Sequence, residues 1–177
     1  MCDRLGADTI AEMKPRVYLE TTIPSYLTAW TSTLLLRAAH QQATRVWWAQ
    51  RDEFDLFVSQ LVLSECQRGD ATAAADRMKV LLGIPSLDQP DVVRPLTEAL
   101  LRDVPLPAKA AADAVHIATA AVHGLQYLLT WNCRHISNAT LRPKIETICR
   151  AFGCEPPTIC NPLELMVRPI HTEEDEP

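Results

Sequence analysis

Apolar and polar positions along this chain switch between two periods. Short runs of β-branched and aromatic residues read as strands, and stretches with apolar residues three and four apart read as helices. Arg16-Val17-Tyr18-Leu19 predicts a first buried strand, which runs into Glu20-Thr21-Thr22-Ile23-Pro24 and stops at the proline. Residues 33–51 predict a helix with an apolar face of Leu34, Leu35, Ala38, Ala39, Gln42, Val46 and Trp47, and with Arg37, Gln41 and Arg45 off it. Asp55 to Ser59 predicts a second strand. Ser59 is placed to cap a helix carrying Leu61, Val62, Leu63 and Glu65, which closes near Gly69. Another helix begins at Asp70 or Thr72 and ends about Gly83. A short strand at Ser86-Leu87 falls between Pro85 and Pro90. Then come a helix over 91–103, a rigid link with Pro105 and Pro107, and an alanine-rich helix over 108–123 closed by Gly124. Tyr127 to Trp131 predicts the strongest strand. A helix near 139–152 ends at Gly153, Thr158-Ile159-Cys160 predicts a last strand, and Pro162 opens a final short helix.

Strands alternating with helices imply an α/β domain with a mainly parallel sheet covered on both faces. Ligands of such sheets sit beyond the carboxyl ends of the strands. A chain of 177 residues suits one such core, here residues 14–168. Residues 1–13 read as a flexible extension, with Met13 an alternative start. Residues 169–177 read as a disordered acidic tail, since Thr172 to Pro177 contains no apolar residue. The formal charge of -5 argues against a broad electrostatic grip on nucleic acid but leaves room for a local basic rim. None of the six cysteines forms a C-x-x-C pair, so they read as reduced thiols of a cytoplasmic protein. There is no apolar run of membrane-spanning length and no signal-peptide core, so a membrane partner is not expected.

Four polar residues stand where the local pattern calls for something bland. Glu20 follows the first strand at its carboxyl end, beside Thr21 and Thr22 whose hydroxyls can bond it; the alternative is a surface residue of the turn. Glu65 shares a helical face with Leu61 and Val62, either as a site residue or in a salt bridge with Arg68. Asp113 interrupts an alanine-rich helix, where aspartate is a poor fit without a function or an ion pair to Lys109 or His116. Asn132 follows the strand Tyr127–Trp131, a position also common for turns. If these converge, three carboxylates repel one another unless a cation lies between them. Oxygen ligands favour Mg²⁺ or Mn²⁺, ions suited to phosphodiester hydrolysis.

The segment Val17-Tyr18-Leu19-Glu20-Thr21-Thr22-Ile23-Pro24-Ser25-Tyr26-Leu27 resembles the opening motif of PIN-domain proteins of the VapC type. Ser59 to Glu65, Ala111 to Ala118 and Leu128 to Ile136 resemble their second, third and fourth motifs, in the family's order, over about residues 16–165. The resemblance implies a three-layer α/β/α domain and a divalent-metal endoribonuclease with Glu20, Glu65, Asp113 and Asn132 as catalytic and metal-binding residues. It further implies an RNA substrate and a cognate antitoxin as partner. Two positions depart from the pattern. The first acid is usually aspartate and here is Glu20, while Asn132 stands where aspartate is frequent. A metal-poor RNA-binding or protein-interaction module is therefore the competing reading.

Thr21, Arg68, Thr130 and Arg134 are the candidates for contact with substrate, the arginines because a guanidinium fork matches phosphate. His116 and His135 lie close to the acids in sequence, but read more readily as structural hydrogen-bonding residues. Trp47 and Trp48 read as core or dimer contacts, which leaves a homodimer open. Phosphate-binding loops, nucleophile elbows and zinc-protease motifs are missing, as is the D-x-D pair of aspartyl-phosphate enzymes.

Overall fold

The computed structural model describes residues 13–105, 107 and 110–167. The expectations for residues 1–12 and 169–177, and the alternative pairing of Asp113 with Lys109, lie outside the described residues. Met13 is exposed.

Five parallel strands form the sheet: β1 (Arg16–Leu19), β2 (Asp55–Ser59), β3 (Ser86–Leu87), β4 (Tyr127–Leu129) and β5 (Thr158–Cys160). Their order is β3-β2-β1-β4-β5. The chain moves one way from β1 and returns on its other side at β4, so the β1–β4 junction is the switch point where such sheets open a crevice. Seven α-helices accompany the strands among the described residues: α1 (Thr22–Thr28), α2 (Leu35–Trp48), α3 (Gln60–Cys66), α4 (Ala71–Val80), α5 (Val93–Asp103), α6 (Ala111–Val122) and α7 (Arg142–Ala151). They pack in two groups, α1 to α4 and α5 to α7, giving a three-layer α/β/α domain.

Burial explains the elements. Val17, Leu19, Leu128 and Leu129 are wholly enclosed, as expected of parallel strands covered on both faces. Truncating one of these leucines to alanine costs about 2–5 kcal/mol. On α5, Val93, Leu96, Thr97 and Leu100 form a buried stripe at helical spacing, with Arg94, Glu98 and Arg102 on the open side. Ser59 caps α3 by accepting from Val62 N at 3.4 Å, and Asp70 caps α4 by accepting from Ala73 N at 2.9 Å. Gly124 and Gly153 follow α6 and α7 with φ of 60° and 73°, a backbone region closed to most other residues.

Several expectations change. Pro24 does not end a structural run; it lies in the first turn of α1, where a missing N–H leaves no helical bond unmade. α2 turns a different face inward. Gln41 is 1% exposed because its amide bonds Trp30 O and Ser32 N, whereas Leu35 is 87% exposed. β4 ends at Leu129, two residues early, because Thr130 and Trp131 turn toward the site. Residues 162–165 form turns rather than a helix, with Asn161 and Glu164 bonded to each other.

Candidate metal centre

The strand register brings the first polar residues together. Leu19 pairs with Leu129, so the next residues, Glu20 and Thr130, leave adjacent strands at the same level. Glu20 N donates to Leu129 O at 3.1 Å, and Thr130 N donates to Cys160 O at 3.0 Å. The carboxylate of Glu20 is 5% exposed and lies at the switch point. Its Oε2 accepts from Thr22 N at 3.0 Å, from Thr130 Oγ1 at 2.8 Å and from Thr22 Oγ1. Among the described residues none donates to Oε1.

α3 supplies the second acid. Ser59 ends β2 and caps α3, which fixes Glu65 on the helix's second turn. Glu65 Oε2 accepts from Thr21 Oγ1 and contacts His116 Nε2 at 3.1 Å. Its partner is therefore His116 rather than Arg68. Burial alone would raise the Glu65 carboxyl above its ordinary 4.5; the His116 and Thr21 hydrogen bonds, with weaker help from the His116 and Arg68 charges, outweigh burial and hold it lower.

α6 supplies His116, 1% exposed, with both ring nitrogens engaged. Its Nδ1 lies 2.8 Å from Tyr18 Oη, which in turn lies 2.7 Å from Ser59 Oγ. Burial raises the Tyr18 phenol well above its ordinary value; the Ser59 hydrogen bond opposes this, and the Glu20 and Glu65 charges reinforce it. Tyr18 thus stays protonated and can donate to either neighbour. Ligand atoms of Glu20, Glu65 and His116 all lie within 4.8 Å of one another, so this buried group could hold a metal ion. Two carboxylates and one imidazole are a fitting donor set for a divalent cation. The hydrogen bonds behind them fix each donor's orientation, as outer-shell partners of metal ligands do.

Asp113 is not one of those three residues, and Asn132 is hydrogen-bonded to it. α6 begins at Ala111, so Asp113 is in its first turn, where an acid suits the helix dipole. Asp113 Oδ1 accepts from Asn132 Nδ2 at 2.9 Å, and Oδ2 lies 2.8 Å from His135 Nδ1. Asn132 N donates to Thr130 Oγ1 at 2.9 Å, which links this second cluster to Glu20. Thr21 and Thr130, expected near substrate, spend their hydroxyls on Glu65 and Glu20, and Thr130 is wholly buried. Arg68 and Arg134 are exposed.

Sequence reasoning undervalued His116 and passed over Tyr18 and Ser59 as site residues. The available signal was that His116 follows Asp113 by one helical turn and that Tyr18 precedes Glu20 by two residues. An aromatic bracket was also unforeseen. His40 stacks on Trp131 with ring centroids 4.0 Å apart, and Trp131 Nε1 donates to Thr44 Oγ1 at 2.8 Å, tying α2 to the exit of β4. A hollow of about 560 Å³ lies elsewhere, at the amino end of β2 among Trp48, Phe54, Leu56 and Leu82, and none of the site residues lines it. No helix among the described residues is long and apolar enough to cross a membrane.

Compared with known proteins, the sequence matches no family model and no curated protein.

Proposed function

We propose that this chain is a divalent-metal-dependent endoribonuclease of the PIN-domain, VapC-like kind, acting as the toxin of a toxin–antitoxin pair. The observation that carries this reading is the convergence of Glu20, Glu65 and His116 at the switch point of a parallel sheet. The ordered sequence motifs add to it. Mn²⁺ is the preferred ion and Mg²⁺ the weaker alternative, because the His116 nitrogen suits Mn²⁺ better than the harder Mg²⁺. When bound, the ion lowers the pKa of water and stabilises charge on the phosphate. The protein's part is to hold the donors. Thr22 and Thr130 clamp one oxygen of Glu20, Thr21 clamps Glu65, and the Tyr18–Ser59 pair sets His116. Arg68 and Arg134, exposed on the flanks, are the cations for RNA phosphates.

The antitoxin is proposed to cover the apolar surface of Trp30, Leu34, Leu35 and Leu36, which is open to solvent on the α1–α2 connection and the start of α2. A homodimer through the same surface is the alternative assembly. Free thiols at Cys66, Cys133, Cys149, Cys154 and Cys160 fit a reducing cytoplasm.

Purified protein should cut RNA with Mn²⁺ and stop when chelator is added. Cleavage that continues undiminished in excess chelator would overturn the reading. One observation favours a binding module instead: Asp113 and Asn132 spend their polar atoms on each other and on His135. Calorimetric titration separates the two, since a nuclease centre takes up Mn²⁺ and a degenerate one does not.

A further inference from the structure

Two cysteines meet where α7 ends. Cys149 is wholly buried on the last turn of the helix, and Cys154, half-buried, packs against the core just beyond it. Gly153 takes a φ of 73° and turns the chain back over the helix end. Cys154 N donates to Cys149 O at 3.0 Å and Gly153 N donates to Arg150 O at 2.9 Å, the paired bonds of a Schellman closure. In that closure the side chains of the two residues joined by the longer-range bond commonly touch.

The backbone also limits how far apart the two residues can be. The 3.0 Å bond, with the covalent reach from Cys149 O and Cys154 N to their own Cα atoms, holds those Cα atoms within about 7 Å. Only beyond that separation do two cysteines need backbone movement to be bridged. The two thiols differ in reactivity. Burial pushes the Cys149 thiol up to about 12, and the charge of the Cys154 side chain adds to this, so Cys149 is a poor first nucleophile. Cys154 is partly open to solvent and is the thiol a small oxidant reaches first. Once Cys154 is in a mixed disulfide it carries no charge, and its contribution to Cys149 disappears.

We propose that Cys149 and Cys154 form a redox-modification site, which a low-molecular-weight disulfide such as oxidised glutathione closes into an intramolecular disulfide. The site shares no residue with the metal group and does not depend on the nuclease reading. In the first step the Cys154 thiolate bonds to one sulfur of the small disulfide, whose S–S bond breaks and releases one thiolate. In the second, the Cys149 thiolate bonds to the Cys154 sulfur and releases the other. The protons lost by the two cysteines end on the two released thiolates. The cysteine pair gives up two electrons and the small disulfide gains them, and a thiol reductant reverses both steps.

The test exposes the full chain, folded and dilute, to excess oxidised glutathione, then blocks free thiols and maps the tryptic peptides by mass spectrometry. Arg150 lies between the two cysteines, so cleavage there leaves them on separate peptides that only a disulfide holds together. The peptide ending at Arg150 should be joined to the one beginning at Ala151, and fragmentation should place the link on Cys154 rather than Cys160. Reductant should separate the two. Cys154→Ser, melting with wild type, should leave Cys149 unmodified, because the buried thiol is reached only through Cys154. A pair that stays reduced, a lasting glutathione adduct on wild-type Cys154 without the link, or a link to another cysteine or another copy would overturn the proposal. Oxidation of Cys149 in folded Cys154→Ser would overturn it as well.

Discussion

Two acidic clusters share one edge of the sheet and balance their charge differently. In the first, Glu20 is surrounded by hydroxyls and a backbone N–H, and Glu65 by a hydroxyl and His116. Two carboxylates therefore face at most one positive charge, so the group stays negative whichever form His116 takes. In the second, Asp113 alone faces an amide and an imidazole. Neutral donors orient a carboxylate without cancelling it, which is what a cation-binding group requires.

The sharpest break between the clusters is their response to metal. At Mn²⁺ a hundredfold above its dissociation constant, wild type should gain about 2.7 kcal/mol of stability by linkage. Glu20→Gln should gain almost none, and thermal melts with and without Mn²⁺ read the difference directly. A variant that keeps the full gain would remove Glu20 from the metal group.

Thr130→Val breaks the connection between the clusters. It takes a donor from Glu20 and an acceptor from Asn132 N in a fully buried place, at a cost of about 2 kcal/mol. As an outer partner of a ligand, its loss should also weaken Mn²⁺ binding about 10-fold or more. Denaturant unfolding and calorimetry measure the two effects, and a loss in stability with unchanged metal affinity would separate the clusters.

Asp113→Asn acts on the second cluster alone. An isolated repulsion among three acids would make this substitution stabilising in chelator. With Asp113 paired to His135 and Asn132, it should instead destabilise by about 1–2 kcal/mol and leave the Mn²⁺ response intact. A higher melting temperature in chelator would place Asp113 back among the repelling acids.

The smallest effect is that of pH on the first cluster. Glu65 is held below its ordinary 4.5, so the folded state favours its ionised form. Its contribution is fully present above that value and is lost as pH falls through the depressed folded-state value. The stability difference between wild type and Glu65→Gln, followed from pH 7 to pH 3, should shift against wild type only at the acid end. A difference independent of pH would mean that Glu65 gains nothing from His116 and Thr21.

Much of the fold was legible because it is written locally. Val17, Leu19, Leu128 and Leu129 announce buried strands by residue type, Ser59 and Asp70 announce caps, and Gly124 and Gly153 announce helix ends. The misses have local causes too. Pro24 reads as a stop when a first-turn proline is equally allowed. Leu34 and Leu35 read as core, although the hydrogen bonds of Gln41 rotate another face of α2 inward.

The sequence by itself determined the alternation of strands and helices, the placing of Glu20 at a strand end, and the acid on α3. These depend on neighbours a few positions apart. Only the tertiary structure decided which polar groups share protons and charge. Glu65 meets His116 across 51 residues, Tyr18 meets His116 across 98, and Thr130 meets Glu20 across 110. The same structure pairs Asp113 with His135 and Asn132. A hydrogen bond forms within about 3 Å, and a distance that short between remote segments follows from strand register and helix packing, which no single stretch of sequence encodes.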